Sequence, residues 1–361
     1  MKKILILSNH SFMLWQFRRE LVAAMIANGM EVTIGVPFGE HIEDFRDLGC
    51  RLVNIPVDRR GINPVRDLSL FRQYRQLLRS LQPDMVITYS IKPNIYAGFA
   101  CRMLKIPYCV NVQGLGTAFQ KSLIRNIVTV MYRVALKKAK VVFFENSGNA
   151  EIFRTKKITP KSQQVILPGA GINLEHYTLQ PYPSNDPIRF LYLGRLMKEK
   201  GMDELFAAVK MLYDDCYDIR LDLVGFFEDA YKEQVEALCS QGIAQFHGFQ
   251  SDPRPYYAAA DCLVLPSYHE GMSNVLLEAA ATGRPLVTSY IPGCREAVEE
   301  GRTGFTCRPR DPESLYEAMK KVIALSREDR VSMGLAGRAR MEEIFDKNAV
   351  VETTLNAIFR D

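Results

Sequence analysis

Two glutamates, Glu270 and Glu278, stand eight positions apart on either side of a loop that contains a glycine. The apolar run 262–265 before them predicts a buried parallel strand, and the Leu- and Ala-rich run 275–281 predicts a helix. Gly271 lets the backbone of the connecting loop approach a ligand closely. Because a helix N-terminus presents free N–H groups and the positive end of the helix dipole, this loop is a candidate site for phosphate or sugar oxygens. Both carboxylates can then face one ligand at the end of the strand.

The same glutamates also have a structural interpretation. Glu278 is then a solvated residue of the helix, and Glu270 is a partner of the helix dipole. In either interpretation, Ser273 or Asn274 is placed to cap the helix.

A second set of charged residues lies in the loop 194–201, whose sequence is GRLMKEKG. The loop follows the predicted strand 188–193 and precedes a helix predicted near 201–213. Arg195 and Lys200 bracket the loop, and a guanidinium beside an ammonium suits the oxygens of a diphosphate. Two cations near two acids therefore indicate a ligand that carries both a diphosphate and hydroxyl groups. The alternative is that both cations pair with local acids.

These loops need sheets to position them, and the sequence contains two successive series of alternating strands and helices. The pattern predicts two doubly wound α/β domains that face a central cleft. The first domain is predicted at 1–168, a linker at 169–187 and the second domain at 188–344, with a C-terminal helix at about 345–361 that packs back on the first domain. Further strands are predicted at 4–7, 31–36, 51–55, 84–89, 106–112, 140–146 and 164–168, and then at 220–224, 244–247 and 285–289.

Length and composition are those of two ordinary globular domains. The chain has 361 residues, of which 47% are hydrophobic and 24% charged, which is typical of soluble proteins. No stretch approaches the roughly 18 apolar residues of a membrane span. The start of the chain, 1–7, predicts a buried strand rather than a signal peptide. Eight cysteines without a CxxC pair favour a reduced, cytoplasmic chain, and they indicate neither a zinc site nor a disulfide framework.

Charge divides the chain into two unlike halves. Residues 1–170 contain 25 Lys and Arg against 11 Asp and Glu, a net charge of +14, whereas residues 171–361 contain 21 against 30, a net charge of −9. A basic half indicates an anionic partner such as nucleic acid, an anionic membrane or a phosphorylated substrate. Nucleic acid is disfavoured because the sequence has no aromatic and basic module such as an RNP motif.

Two segments of the basic half are candidates for contact with an anionic surface. The Arg-rich segment 59–79 predicts a helix with one buried stripe. That stripe comprises Leu68, Phe71, Leu77 and Leu78. The segment 121–140 predicts a basic amphipathic helix, which either lies on an anionic membrane or covers the protein core.

The charged loops together resemble a known family. Arg195 and Lys200, the pair Glu270-x7-Glu278 and the later Gly283-Arg284-Pro285 look like the donor half-site of the retaining family 4 glycosyltransferases. That family has the GT-B fold of two Rossmann-like domains. The resemblance covers nearly the whole chain.

The amino-terminal half is similar to a narrower bacterial group. The matching segments are Trp15-Gln-Phe-Arg18, Gly61-Ile-Asn-Pro64, Ile91-Lys-Pro-Asn94 and Gly114-Leu-Gly116. This group, which includes the bacillosaminyl-diphospho-undecaprenol N-acetylgalactosaminyltransferase type, extends lipid-linked oligosaccharides in glycan and capsule assembly. Where wider family members have a glycine pair after the first strand, this sequence has Ser8-Asn-His-Ser11.

By its motifs, the resemblance implies a role for each site residue. Arg195 and Lys200 are expected to hold the donor diphosphate, Glu278 the ribose hydroxyls, and Glu270 the transferred sugar. The other expected donor contacts are Gly194, Gly271, Met272, Ser273 and Asn274, together with Gly116 and Thr117 from the opposite domain. The expected acceptor contacts are His10, Lys92, Asn94 and Gln113, and His269 is a further candidate for a sugar or phosphate contact.

The activity implied by the resemblance is retaining transfer of a sugar, such as an N-acetylhexosamine, from a UDP-sugar to a polyprenyl-diphosphate-linked sugar. Such a hexosyltransferase serves bacterial glycan, capsule or O-antigen assembly at the inner face of the plasma membrane, where the protein is expected to associate peripherally. No metal or other cofactor is expected, since no DxD motif follows a strand. The alternatives are a GT-B-type UDP-sugar epimerase, a nucleotide-sugar sensor without activity, and a glycosyltransferase with a soluble acceptor.

Overall fold

The computed structural model describes residues 1–58, 63–114, 122–184 and 186–359, and it divides into two compact units. Unit 1 comprises Met1–Ala170 and Asn348–Asp361, and unit 2 comprises Gly171–Lys347. Each unit contains its own parallel sheet with helices packed against it. The predicted fold class, two doubly wound α/β domains, is therefore confirmed.

In the described part of unit 1, seven parallel strands form one sheet in the order β3-β2-β1-β4-β5-β6-β7. The strands are β1 (Lys3–Leu7), β2 (Glu31–Val36), β3 (Arg51–Asn54), β4 (Met85–Tyr89), β5 (Tyr108–Val112), β6 (Val141–Phe144) and β7 (Gln164–Ile166). β1 pairs with β4 in the register that sets Ile4 beside Met85 and Leu7 beside Thr88. The strand order reverses between these two strands, and open α/β sheets bind ligands at the carboxyl ends of such a pair.

Helices cover the sheet of unit 1 on both faces, because successive strand residues point to opposite sides. Leu5 and Leu7 pack into one core cluster, whereas Ile4 and Ile6 pack into another. The helices are α1 (Ser11–Ala27), α2 (Ile42–Asp47), α3 (Pro64–Leu81), α4 (Gly98–Leu104), α5 (Ser122–Ala135) and α6 (Ser147–Thr155), and a π-helical turn at Pro93–Ala97 leads into α4.

Unit 2 has a six-stranded parallel sheet within its described residues, in the order β10-β9-β8-β11-β12-β13. Its strands are β8 (Ile188–Leu193), β9 (Ile219–Val224), β10 (Ala244–Phe246), β11 (Cys262–Leu265), β12 (Leu286–Ser289) and β13 (Gly304–Cys307). Its helices are α7 (Met202–Asp214), α8 (Lys232–Ser240), α9 (Arg254–Ala259), α10 (Asn274–Ala281), α11 (Pro312–Ala324) and α12 (Arg327–Ile344). The last helix, α13 (Lys347–Phe359), returns the chain to unit 1, where Val350 and Ile358 are buried.

The predicted strands are all present, and their ends differ from the prediction by two residues or fewer. Strand β13 and the helices α2, α4, α9, α11 and α12 were not predicted. The predicted buried stripe of α3 was right in part: Leu78 is buried, and Phe71 and Leu77 are half-buried against the core, but Leu68 is 48% exposed. The fully buried apolar residues are Leu70, Tyr74 and Leu78. These three are spaced four residues apart and so lie on one helical face.

Residues 171–184, which fall in the predicted linker, pack tightly within unit 2. The Gln180 N–H donates to the Thr282 oxygen at 3.2 Å. Arg284, only 1% exposed, donates to the backbone oxygens of Pro181 at 2.7 Å and Tyr257 at 2.8 Å. Burial lowers the pKa of Arg284 to about 10. This segment is therefore part of unit 2 rather than a free connection, because a buried guanidinium binds its carbonyl groups.

All eight cysteine thiols are free, and six of them are buried. Among the described residues, no helix has both the length and the apolar character needed to cross a bilayer.

Candidate functional site

Loops at the carboxyl ends of the unit 2 strands meet because glycines let their backbones touch. A Cβ on Gly201 would lie 2.1 Å from the oxygen of Pro266, and a Cβ on Gly293 would lie 2.4 Å from the oxygen of Gly271. Both glycines have positive φ, +75° and +88°, a conformation that other residues rarely adopt. The first contact joins the loop after β8 to the end of β11, and the second joins the loop after β11 to the loop after β12.

The joined loops carry Lys200 and Glu270. The Lys200 Nζ lies 2.5 Å from the Glu270 Oε1, and the two side chains are only 20% and 13% exposed. A backbone bond between the same loops, from the Tyr268 N–H to the Glu199 oxygen at 2.9 Å, holds the pair in register. Largely buried charges are screened less by salt than surface charges are. The structure thus brings together two of the residues predicted from the sequence.

Arg195 also has an acidic partner, which the sequence did not predict. Its Nη1 lies 2.5 Å from the Oε2 of Glu228, a residue of the loop after β9. The Arg195 side chain is 44% exposed, whereas that of Glu228 is 16% exposed. Both predicted cations therefore pair with local acids, as the alternative interpretation stated. An anion that binds either cation has to compete with a carboxylate.

Glu278 lies inside unit 2, on the second turn of α10, and is 6% exposed. Its Oε2 accepts a hydrogen bond of 2.7 Å from the Tyr257 hydroxyl. Burial raises the pKa of Glu278, and the bonds from Tyr257 and Tyr177 oppose that rise. The interpretation of Glu278 as a solvated helix residue was therefore wrong. Tyr257 belongs to α9, a helix of six residues that is too short to show a periodic pattern in the sequence.

The N-terminus of α10 lies beside this acid and carries no side-chain cap. Ser273 occupies the N-cap position, but its side chain makes no capping hydrogen bond, and its N–H donates to the Gly293 oxygen at 2.9 Å. Ser267, just after β11, is fully buried, and its Oγ has no hydrogen-bond partner among the described residues. Buried hydroxyl groups are normally bonded, so an orphan at the strand end is a feature typical of functional sites. Ser267 was not among the predicted site residues.

His269 belongs to the loop after β11 and is an exposed residue. Partial burial lowers the pKa of its imidazole, and the Arg310 cation lowers it further. The guanidinium of Arg310 stands over the ring of the neighbouring Tyr268 at 4.7 Å, and the Tyr268 hydroxyl donates to Glu204 at 2.7 Å. His269 is thus neutral at neutral pH and is available as a hydrogen-bonding group rather than as a charge.

The four predicted acceptor residues separate into two places in unit 1. His10 and Gln113 line one pocket of about 170 Å³. Lys92 instead donates from Nζ to Asp67 Oδ1 at 2.8 Å, and both side chains are largely buried. Asn94 is 1% exposed and donates to the Asn111 oxygen at 2.8 Å. Asn94 therefore supports the sheet from within, and Lys92 holds α3 against the π-helical turn.

The predicted donor contacts Gly116 and Thr117 lie outside the described residues. Within the described ranges, no three His, Cys, Asp or Glu side chains come together as the ligands of a metal ion do.

Two family models match the chain, one for each half. The model described as "Glycosyl transferase 4-like domain" matches residues 14–170, and the model described as "Glycosyl transferases group 1" matches residues 187–324. The first lies within unit 1 and the second within unit 2.

Among curated proteins, the chain is similar to the N,N'-diacetylbacillosaminyl-diphospho-undecaprenol alpha-1,3-N-acetylgalactosaminyltransferase of Campylobacter jejuni. The two are 26% identical over 97% of this chain and 96% of that protein. It is also similar to the capsular polysaccharide biosynthesis glycosyltransferase CapM of Staphylococcus aureus, with 24% identity over 80% of this chain and 81% of that protein.

Among solved structures, Anabaena HepE in complex with UDP and glucose has the same fold. It superposes with a TM-score of 0.79 over 100% of both chains, at 17% sequence identity. At this identity the likeness concerns the fold alone.

Proposed function

The chain belongs to the glycosyltransferases of the GT-B fold, and from that premise we propose that it transfers a sugar from a UDP-sugar to a sugar carried on a polyprenyl diphosphate. The proposal concerns the donor and the acceptor. The observation that carries it is the cluster of two cations and two acids, Lys200 with Glu270 and Arg195 with Glu228, at the strand ends of unit 2.

In this proposal the diphosphate of the donor takes the place of the carboxylates beside the cations. Arg195 and Lys200 then bind the phosphate oxygens, and charge-assisted bonds of this kind are about twice as strong as neutral ones. Glu270, released from Lys200, faces the hydroxyl groups of the transferred sugar. Glu278 binds the ribose hydroxyls. Its buried carboxylate then accepts hydrogen bonds from the nucleotide in place of the bond from the Tyr257 hydroxyl.

The same cations provide the catalysis. Cleavage of the bond between the sugar and the phosphate passes through an oxocarbenium-like transition state, while negative charge grows on the departing UDP. Fixed positive groups at the position of that growing charge lower the barrier most. We infer a retaining reaction, in which the leaving phosphate takes the proton of the acceptor hydroxyl. No metal ion enters this scheme, because the two cations already neutralise the diphosphate.

The acceptor part of the proposal is supported by the Campylobacter relative, whose name contains a diphospho-undecaprenol acceptor and which aligns with 97% of this chain. Unit 1 also has the charge that such an acceptor needs. The excess of Lys and Arg over Asp and Glu in residues 1–170 attracts a lipid diphosphate and the anionic bilayer that holds it.

Exposed apolar side chains of unit 1 add a hydrophobic surface to this charge. On α5, Ile127, Val130 and Val134 are 54%, 54% and 42% exposed and share one helical face, while Val128 packs inward. Helix α5 therefore covers the core and also presents an apolar stripe. Beside Val134 lies a groove of about 620 Å³ between α3, α4 and α5, which includes Leu68, Phe71, Phe99 and Met103. We propose that this surface rests on the cytoplasmic face of the membrane.

The role of Lys200 predicts a loss of turnover in Lys200→Ala. We expect kcat for sugar transfer to fall by about 100-fold or more, as when one donor is removed from an oxyanion hole. The matched control is Lys198→Ala in the same loop, whose ammonium is 69% exposed and 3.6 Å from Asp203. Steady-state release of UDP measures both variants. A normal kcat in Lys200→Ala would contradict the proposed site.

The proposed acceptor predicts that the efficiency of sugar transfer depends on the polyprenyl chain of the acceptor. One saccharide is presented as its undecaprenyl diphosphate, as a short-chain prenyl diphosphate and as the free sugar, each with a panel of UDP-sugars and in excess EDTA. We expect kcat/KM to be at least about 10-fold higher for the undecaprenyl diphosphate than for the free sugar, because the bound phosphate and the apolar chain both add affinity. We also expect an α-linked product from an α-linked donor.

Equal kcat/KM for the free sugar would point to a soluble acceptor. UDP released without any acceptor would point to an epimerase. Activity that is lost in EDTA and restored by magnesium would refute the metal-free scheme, and a β-linked product would refute retention.

The membrane surface predicts selective flotation with anionic liposomes at low salt. Each basic residue that engages the bilayer adds about 1 kcal/mol, and salt weakens this attraction. The double variant Ile127→Glu/Val130→Glu should lose most of the recovery. Leu335→Glu, at an exposed apolar position on α12 of unit 2, is the matched control and should float like the unchanged protein. Equal recovery with neutral and anionic liposomes would rule this surface out.

A further inference from the structure

A pocket of about 170 Å³ lies within unit 1, at the carboxyl ends of β1, β4 and β5. Its wall includes residues that directly follow these strands, Ser8, Ser90 and Gln113. The pocket therefore sits at the reversal of strand order between β1 and β4, which is where doubly wound sheets bind ligands. It is smaller than the roughly 300–1,000 Å³ of sites for drug-sized molecules. A single sugar ring is a ligand of suitable size.

The charged side chain of this pocket is already neutralised. Arg18, from α1, is 5% exposed, and its Nη2 lies 2.7 Å from the Oε1 of Glu145, which is 9% exposed. A buried cation with a buried anion at this distance has no net charge to offer a ligand. The pocket therefore suits a neutral polar group better than a diphosphate.

One hydrogen-bond donor of the pocket lacks an acceptor. The Tyr89 hydroxyl is buried beside the Arg18 guanidinium, which can only donate, and its O–H has no acceptor among the described residues. Burial raises the pKa of Tyr89 to about 12, against the opposing effect of the Arg18 cation, so the phenol keeps its proton at neutral pH. A buried donor without an acceptor costs about 1–3 kcal/mol. A ligand oxygen would relieve that cost.

The wall of the pocket is held in an unusual backbone conformation. Ser90 has a φ of +74°, in the left-handed region that residues other than glycine seldom occupy. Its Oγ donates to the Oδ1 of Asn9 at 2.7 Å, which ties the loop after β4 to the loop after β1. Such conformations persist where the surrounding structure enforces them, and they cluster at binding sites.

We propose that this pocket binds a neutral sugar ring of the acceptor, with Tyr89 donating to a ring hydroxyl or to the carbonyl oxygen of an amide substituent. The inference rests on the proposed function for the identity of its ligand. It assigns the sugar of the acceptor to the pocket and leaves the lipid diphosphate to other residues. Tyr89 and Arg18 were not among the residues predicted from the sequence.

The variant Tyr89→Phe tests this assignment, because it removes one hydroxyl and leaves the ring. The matched control is Tyr74→Phe on α3, whose hydroxyl is also buried without a partner in the part of the chain that the structure describes and which does not line the pocket. Both variants should unfold at the same temperature as the unchanged protein or higher, since each loses an unpaired buried donor. Tyr89→Phe alone should raise the KM for the acceptor about 10-fold, with the KM for the UDP-sugar and kcat changed less than twofold.

An unchanged acceptor KM in Tyr89→Phe would overturn the assignment. A raised KM for the UDP-sugar alone would also overturn it, because the pocket would then hold the donor sugar.

Saturation-transfer NMR with free N-acetylglucosamine and N-acetylgalactosamine gives a readout that needs no turnover. The pocket is supported if the unchanged protein and Tyr74→Phe bind the sugars and Tyr89→Phe binds them about 10-fold more weakly. That support stands even if the protein transfers no sugar and the proposed function fails. No binding by the unchanged protein, or equal binding by all three, overturns it.

Discussion

Direct contact between loop backbones is the constraint on which the unit 2 site depends. Gly201 against Pro266 and Gly293 against Gly271 leave no room for a Cβ, so the loops after β8, β11 and β12 have fixed separations. Lys200 immediately precedes one of these contacts, and Glu270 immediately precedes another. Their 2.5 Å ion pair is therefore set by backbone packing and not by the reach of two flexible side chains. The backbone positions of both charged residues are therefore preorganised before a ligand binds.

Each predicted cation of the site is held by a carboxylate. Lys200 is held by Glu270 and Arg195 by Glu228. The pairs keep the cations pointed at the strand ends and avoid the cost of isolated, partly buried charges. Binding of a diphosphate becomes an exchange of one anion for another. The pocket of unit 1 differs from this site. Its buried ion pair of Arg18 and Glu145 has no net charge, so the pocket offers a ligand hydrogen bonds rather than charge.

The features predicted correctly from the sequence are those that depend on a local pattern of residues. The strand 188–193 was placed to the residue, because its apolar run from Phe190 to Leu193 is followed at once by Gly194. Charge and spacing also predicted that Lys200 and Glu270 share a site. Side-chain partners could not be predicted in this way, since Glu228 and Tyr257 reach the site from other loops and helices and carry no motif. Leu68 was misassigned to the buried stripe of α3 because apolar residues also occur on the exposed face of that helix.

The central claim is that Arg195 and Lys200 bind a diphosphate by displacing carboxylates, and the affinity for UDP of Glu228→Gln tests it most directly. Titration calorimetry at low salt should find UDP bound about 3- to 10-fold more tightly than by the unchanged protein, because Arg195 no longer has to leave a charged partner. The control Glu342→Gln, which removes the partner of Arg338 on α12, should leave the affinity unchanged. Unchanged or weaker binding of UDP by Glu228→Gln would contradict the account.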